Sequence, residues 1–228
     1  MDPIVPTQGR GHLGPASLDP AVIDHLLVDV IEAVHHSFDQ ALLQRQAVEE
    51  RFQVDVFLGD ISFETSYSLP GEEQPPRVRA DLSIDWPTWS QTAYRSWSIG
   101  ETPGELPEVI VEVALRIQRL AEAPAIDAVL AQLPPESPHL GADALVRTSA
   151  TVEQVFEEMP GTRPTSAPVR WAVEATYEGS IRFEENHLED SSTIAPIIDA
   201  LTRWVASILV RLADLPLAFL PPDPQAAE

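Results

Sequence analysis

Apolar and polar positions divide the chain into stretches with helix and strand periods. After Asp19-Pro20, the residues Val22, Ile23, Leu26, Leu27, Val30, Ile31, Val34, Phe38, Ala41 and Leu42 recur at three- and four-residue spacing. That repeat places apolar side chains on one helix face. Proline suits a first helical position and an acid suits the positive dipole end, so a long helix is expected over residues 19–50. From Phe52 the period becomes two, through Val54, Val56 and Leu58. At Gly59-Asp60 the parity flips, and Ile61, Phe63, Thr65, Tyr67 and Leu69 carry the apolar set. A flip at glycine predicts a bulge or sharp bend within a strand. Val78, Ala80, Leu82, Ile84 and Trp86 alternate as a second strand, and residues 89–99, with Tyr94 and Trp97, read as a third, weaker one.

Residues 107–120 fit both periods, and their density of β-branched side chains favours a strand over 108–118. Pro124 opens a short helix to Leu133, and Pro134-Pro135 to Pro138 reads as a linker-like break. Val146, Thr148, Ala150 and Val152 alternate, as do Val169, Trp171, Val173, Ala175, Tyr177, Ile181 and Phe183. Asp190 to Thr193 supply N-cap candidates for a final amphipathic helix over 193–213. The segment Leu215 to Pro222 is apolar and extended. Strands grouped between helices predict an α+β fold, an antiparallel β-sheet with long helices packed on one face. The expected organisation is an arm over 1–17, one domain over 18–222 and a tail over 223–228. Within that domain the strands run from 52 to 184, with an insertion around 119–143.

The charge narrows the function. The 228 residues carry 36 acids against 14 basic residues, all of them arginine, for a net charge of −22. Such a surface repels phosphate backbones and anionic lipid headgroups, which excludes nucleic acid as a partner and argues against the membrane surface. No uninterrupted apolar run reaches the roughly 20 residues that span a bilayer. Met1 to Ala16 lack the apolar segment of a signal peptide, and the expected location is the cytoplasm. Without cysteine there is no disulfide framework or thiolate chemistry.

Catalytic motifs are absent: no GxSxG, phosphate loop, GxGxxG or HExxH occurs. His35-His36 are adjacent on a helix and point apart, so they do not share a metal. Acid pairs such as Glu72-Glu73 are what a chain this acidic shows on a solvated face. Neither an enzyme nor a cofactor or metal is expected. The tryptophans are more informative, with Trp86, Trp89 and Trp97 close in sequence. Core packing accounts for such residues; the functional reading is an aromatic groove, with Phe63, for a polypeptide or hydrophobic ligand.

Asp60-Ile61-Ser62-Phe63-Glu64 resembles the first strand of the SecB family of export chaperones. Val173 to Phe183 is similar to that family's last strand. A helix near Pro196 follows, and Leu215 to Pro221 resembles the apolar segment after the family's helix. Residues 19–50 and 86–143 have no counterpart there. The resemblance implies a four-stranded antiparallel sheet with helices on one side, a tetramer and an aromatic groove for non-native chains. It also implies that Asp60 and Glu64 contact a protein partner, as the family's acidic pair contacts the export motor.

The leading expectation is therefore a SecB-like, ATP-independent chaperone that forms a homo-oligomer and binds unfolded clients. The alternatives are an assembly subunit docking through the first helix and a helix-grip binder of a hydrophobic ligand. Asp55, Glu64, Asp81, Asp85, Glu153 and Glu174 alternate with the apolar set. They predict an acidic sheet face, opposite the hydrophobic one, that receives a basic protein partner.

Overall fold

The computed structural model describes residues 25–42, 49–55, 58–141, 143–155 and 170–222. Their strands are β1 (Glu49–Val54), β2 (Ile61–Ser68), β3 (Val78–Trp86), β4 (Glu108–Leu120), β5 (Glu136–Leu140), β6 (Asp143–Val155) and β7 (Arg170–Arg182). Their helices are α1 (His25–Leu42), α2 (Thr88–Ser98), α3 (Ile126–Leu130), α4 (Glu185–Glu189) and α5 (Ala195–Ala213). A 3-10 turn over Ser191–Ile194 leads into α5. The strands form one seven-stranded antiparallel sheet in the order β1-β2-β3-β4-β7-β6-β5. An α+β fold with an antiparallel sheet is thus observed, with seven strands where the resemblance implies four.

The alternation seen in the sequence sets the two faces. Phe63, Ile84, Val111 and Gly179 lie in register across β2, β3, β4 and β7, and Tyr177 pairs with Val113. Phe63, Ile84, Val111, Val113 and Tyr177 are buried and mark the apolar face. Phe38 of α1 stacks on Tyr67 with ring centroids 3.9 Å apart, and Trp204 of α5 meets Tyr177 edge-on at 5.0 Å. Val30 and Val34 of α1 and Ile198, Leu201, Val205 and Leu209 of α5 are buried in the same core. Each such side chain stabilises the fold by roughly 1.5–3 kcal/mol before entropy is counted.

Several expectations need correction. Glu49 and Glu50 belong to β1, so the first helix does not run on to residue 50; its described part ends at Leu42. The expected helix over 19–24 and 43–48 lies outside the described residues, as do the arm over 1–17, residue 18 and the tail over 223–228. Gly59, at φ 76°, belongs to a hairpin turn and not to a bulge. The Asp55 N–H donates to the Asp60 carbonyl (2.8 Å) and the Gly59 N–H to the Asp55 carbonyl (2.9 Å). The parity flips because Phe52 and Val54 must pair across that turn with Phe63 and Ile61.

The expected third strand over 89–99 is the helix α2. Its inward residues Ser90, Gln91, Tyr94 and Trp97 recur at helical spacing, a pattern that the aromatic alternation masked. The proline-rich break contains the edge strand β5, held where Ser137 Oγ accepts from the Leu145 N–H (2.8 Å). Proline is tolerated on an edge strand because its missing donor faces outward. Segment Ser191–Ala213 is long and apolar enough to cross a bilayer on length and composition alone. A criterion of uninterrupted apolar runs misses it, and half of it is buried within this fold.

Candidate functional site

Two features stand out on the surface: the polar sheet face and an aromatic corner beside α2. Register builds the first. Arg51, Glu64, Ser83, Glu112 and Glu178 form one row across β1, β2, β3, β4 and β7. Asp81 lies between Ser66 and Ala114, Asp85 between Ser62 and Ile110, and Arg116 between Arg79 and Glu174. Arg51, Glu64, Asp81, Asp85, Glu112 and Arg116 line an open trough of about 470 Å³ over β1 to β4, with Glu174 and Glu178 on the neighbouring strand β7.

Its carboxylates are partly neutralised. Arg116 Nε lies 2.6 Å from Glu174 and 3.1 Å from Asp81, and Arg79 Nε lies 2.9 Å from Asp81. Arg51 reaches Glu64 at 3.7 Å. Ser66 Oγ donates to Asp81 and Ser62 Oγ to Asp85. Glu112 makes no such pair among the described residues and sits directly opposite Glu178, a repulsion that nearby Arg116 offsets only in part. Burial raises its pKa, and the nearby carboxylates of Glu178, Asp85 and Glu174 raise it further. The trough is therefore a web of ion pairs with surplus negative charge.

Of the acids predicted for this face, Glu64, Asp81, Asp85 and Glu174 lie on it. Glu153 is on the same side at β6, opposite Ala172, while Asp55 sits in the β1–β2 turn. Glu112 and Glu178 were missed, though their positions follow from the same alternation. The interleaved arginines were missed because cross-strand neighbours are not visible along one strand.

The aromatic corner begins in the core. Trp86 is fully buried at the end of β3, and its ring lies 5.7 Å from Tyr94, which in turn stacks with Trp97 at 6.3 Å. Trp97, Pro103, Leu106 and Leu188 line an open cleft of about 370 Å³, flanked by Glu101 and Glu185. Nearby in sequence, Ile99 is 73% and Trp89 43% exposed.

Side-chain hydrogen bonds, one of them buried and most part-buried, hold α2 in place. The amide of Gln91 donates to the carbonyls of Trp86 and Gly59, both at 2.9 Å. Ser90 Oγ donates to the Glu108 carbonyl (2.6 Å) and accepts from the Glu108 N–H (2.8 Å). Asp60 Oδ1 accepts from the Thr88 N–H at the start of the helix (2.7 Å).

The residues predicted for client and partner contact therefore separate. Trp97 lines the cleft and Trp89 is exposed on α2. Phe63 and Trp86 are core residues, closed to a client while the fold is intact because the sheet face that carries them is covered. Asp60 is engaged at the N-terminus of α2, while Glu64 lies on the acidic face. The two do not act as one acidic pair. Gln91, Leu106 and Leu188 were not foreseen; helical spacing from Tyr94 would have found Gln91, whereas Leu106 and Leu188 meet Trp97 only through the fold.

Among the described residues, no cluster of three or more His, Cys, Asp or Glu side chains could hold a metal ion. No protein-family model, no curated protein and no solved structure matches the chain.

Proposed function

We propose that the protein is a SecB-like, ATP-independent chaperone that holds apolar, positively charged segments of non-native polypeptides at the aromatic corner. The observation that carries the reading is the cleft itself, with Trp97, Pro103, Leu106 and Leu188 as its apolar lining and Glu101 and Glu185 beside them. An aromatic and aliphatic surface recovers hydrophobic free energy from any exposed apolar side chain, so it suits unrelated clients. The flanking carboxylates favour clients with nearby Arg or Lys and disfavour acidic ones.

In this proposal the acidic sheet face, with Glu64 and Glu112, docks a basic surface of a protein partner. Helices packed on one sheet face, a homo-oligomeric state and a cytoplasmic location are parts of the same proposal. No specific observation favours assembly through α1, whose apolar stripe is occupied in the core. The helix-grip reading has no support either, because side chains fill the interface between the sheet and α5.

The test is suppression of aggregation of a chemically unfolded substrate diluted into buffer without nucleotide. The full chain at stoichiometric ratio is expected to slow aggregation. Leu106→Asp is expected to abolish the effect while leaving the melting temperature within a few degrees. Unslowed aggregation, or full activity in the Leu106→Asp chain, would overturn the proposal.

A further inference from the structure

The charge of the polar sheet face reverses at one end. Beyond Arg116, the strands β4, β7 and β6 enclose a hollow of about 230 Å³ lined by Arg116, Gln118, Arg119, Arg170, Glu153 and Glu174. Three arginines here face two acids, in a chain where acids outnumber basic residues 36 to 14. Glu174 is already held by Arg116 at 2.6 Å. Arg170 is exposed and makes no ion pair among the described residues.

The backbone builds the hollow. The pairing of β4 with β7 shifts between Ile117 and Leu120, and Arg119 takes a φ of 59°. A non-glycine residue there is strained, and the surroundings must hold it. They do so through the Arg119 carbonyl, which accepts from the Leu220 N–H (2.7 Å), and through Arg119 Nη1, which donates to the Pro75 carbonyl (2.9 Å).

The bulge draws Arg119 inward, leaving it 8% exposed, and its Nε is buried without a hydrogen-bond partner. The Gln118 amide nitrogen beside it is buried and unpartnered as well. A buried cationic donor without an acceptor is costly, and native folds supply one. Arg119 also borders a second hollow beside Gly71, but there Arg77 is already paired with Glu72 at 2.9 Å. The side facing β7 is therefore the one with unused positive charge.

We propose that this hollow binds a small organic carboxylate. Its two oxygens match the planar guanidinium fork of Arg119, Arg170 supplies the second charge, and the Gln118 amide supplies a neutral donor. Trp171, Val155 and Val173 also line the hollow and would carry the apolar body of the acid. The volume lies below the roughly 300–1,000 Å³ of sites for drug-sized ligands, which selects a small acid.

The experiment is calorimetric titration of the full chain with sodium benzoate, sodium acetate or inorganic phosphate, against sodium chloride at equal ionic strength. Benzoate is expected to bind saturably at one site per chain, and more tightly than acetate. Arg170→Gln is expected to weaken benzoate by about tenfold or more, because it removes a charge-assisted hydrogen bond. Arg119→Gln should weaken it similarly, with its melting curve recorded as a check on folding. Arg211→Gln, on the exposed side of α5, should bind as the parent does. If Arg119→Gln does not fold, Arg170→Gln decides alone, since its side chain is exposed. Absence of saturable benzoate binding, undiminished binding in Arg170→Gln, or tighter binding of phosphate than of both carboxylates would overturn the proposal.

Discussion

Replacing Gln91 by leucine isolates what holds the aromatic corner to the sheet. The leucine keeps nearly the same volume but cannot donate to the carbonyls of Trp86 and Gly59. The bond to Trp86 is buried, so its loss leaves an acceptor unsatisfied at a cost of about 1–3 kcal/mol. Gly59 lies in an exposed turn, where water replaces the lost donor, so that bond contributes only about 0.5–1 kcal/mol. Apolar burial of the leucine recovers part of the sum, which leaves a net destabilisation of about 2 kcal/mol. At this chain length that lowers the melting temperature by about 4–8 °C. Urea denaturation followed by tryptophan fluorescence measures it, with Thr92→Ala on the exposed side of α2 as the control. Gln91→Glu should be worse than leucine, because a carboxylate would face the two carbonyl oxygens. A loss below about 0.5 kcal/mol for Gln91→Leu, the range of ordinary surface substitutions, would refute the view that this side chain anchors α2.

Glu112→Gln should stabilise the protein at pH 7 by up to about 1 kcal/mol, because it removes the repulsion with Glu178 directly opposite. The folded pKa of Glu112 is raised, so the folded state keeps the proton to higher pH than the unfolded one. Its contribution to stability is present in acid and lost as pH rises through the folded value. The gain from glutamine should therefore shrink on acidification, in denaturation midpoints measured from pH 7 downward. Burial pushes the Tyr67 hydroxyl up to about 12 from 10.0. Its stabilising contribution is complete below pH 10 and should fall away between 10 and about 12, with its phenolate appearing late in an ultraviolet titration. Gly179→Ala places a Cβ 2.8 Å from Leu145 Cδ2 and 3.2 Å from the Ala144 carbonyl. Crowding against the fully buried Leu145 should cost about 1–3 kcal/mol, read from chemical denaturation.

Much of the sheet was legible along the chain. β3 alternates in burial throughout, and β2 over Ile61–Thr65 and β7 over Val173–Tyr177 do the same, so their period of two is visible, while the ambiguous stretch at 108–118 resolves by its β-branched content. α5 was legible for the same reason at a period near 3.6. The failures share a cause. Trp89 and Trp97 lie on α2 among residues that also fit alternation, and only docking of Gln91 and Tyr94 against the sheet selects the helix. β5 has a proline-rich sequence and becomes a strand because β6 offers it a pairing edge. Glu49 and Glu50 continue a helical pattern, yet β2 captures them.

By itself the sequence determined the net charge, the antiparallel α+β class and which side of each central strand is apolar, because these follow from local periodicity and composition. Tertiary structure alone decided which side chains meet. It sent Phe63 and Trp86 into the core and left Trp97 at a cleft with Leu106 and Leu188. It put arginines between the carboxylates of the acidic face. At the bulge of β4 it drew Arg119 inward beside Arg170, 51 residues away by the numbering. Such neighbours depend on strand order and register, and no single stretch of chain encodes either.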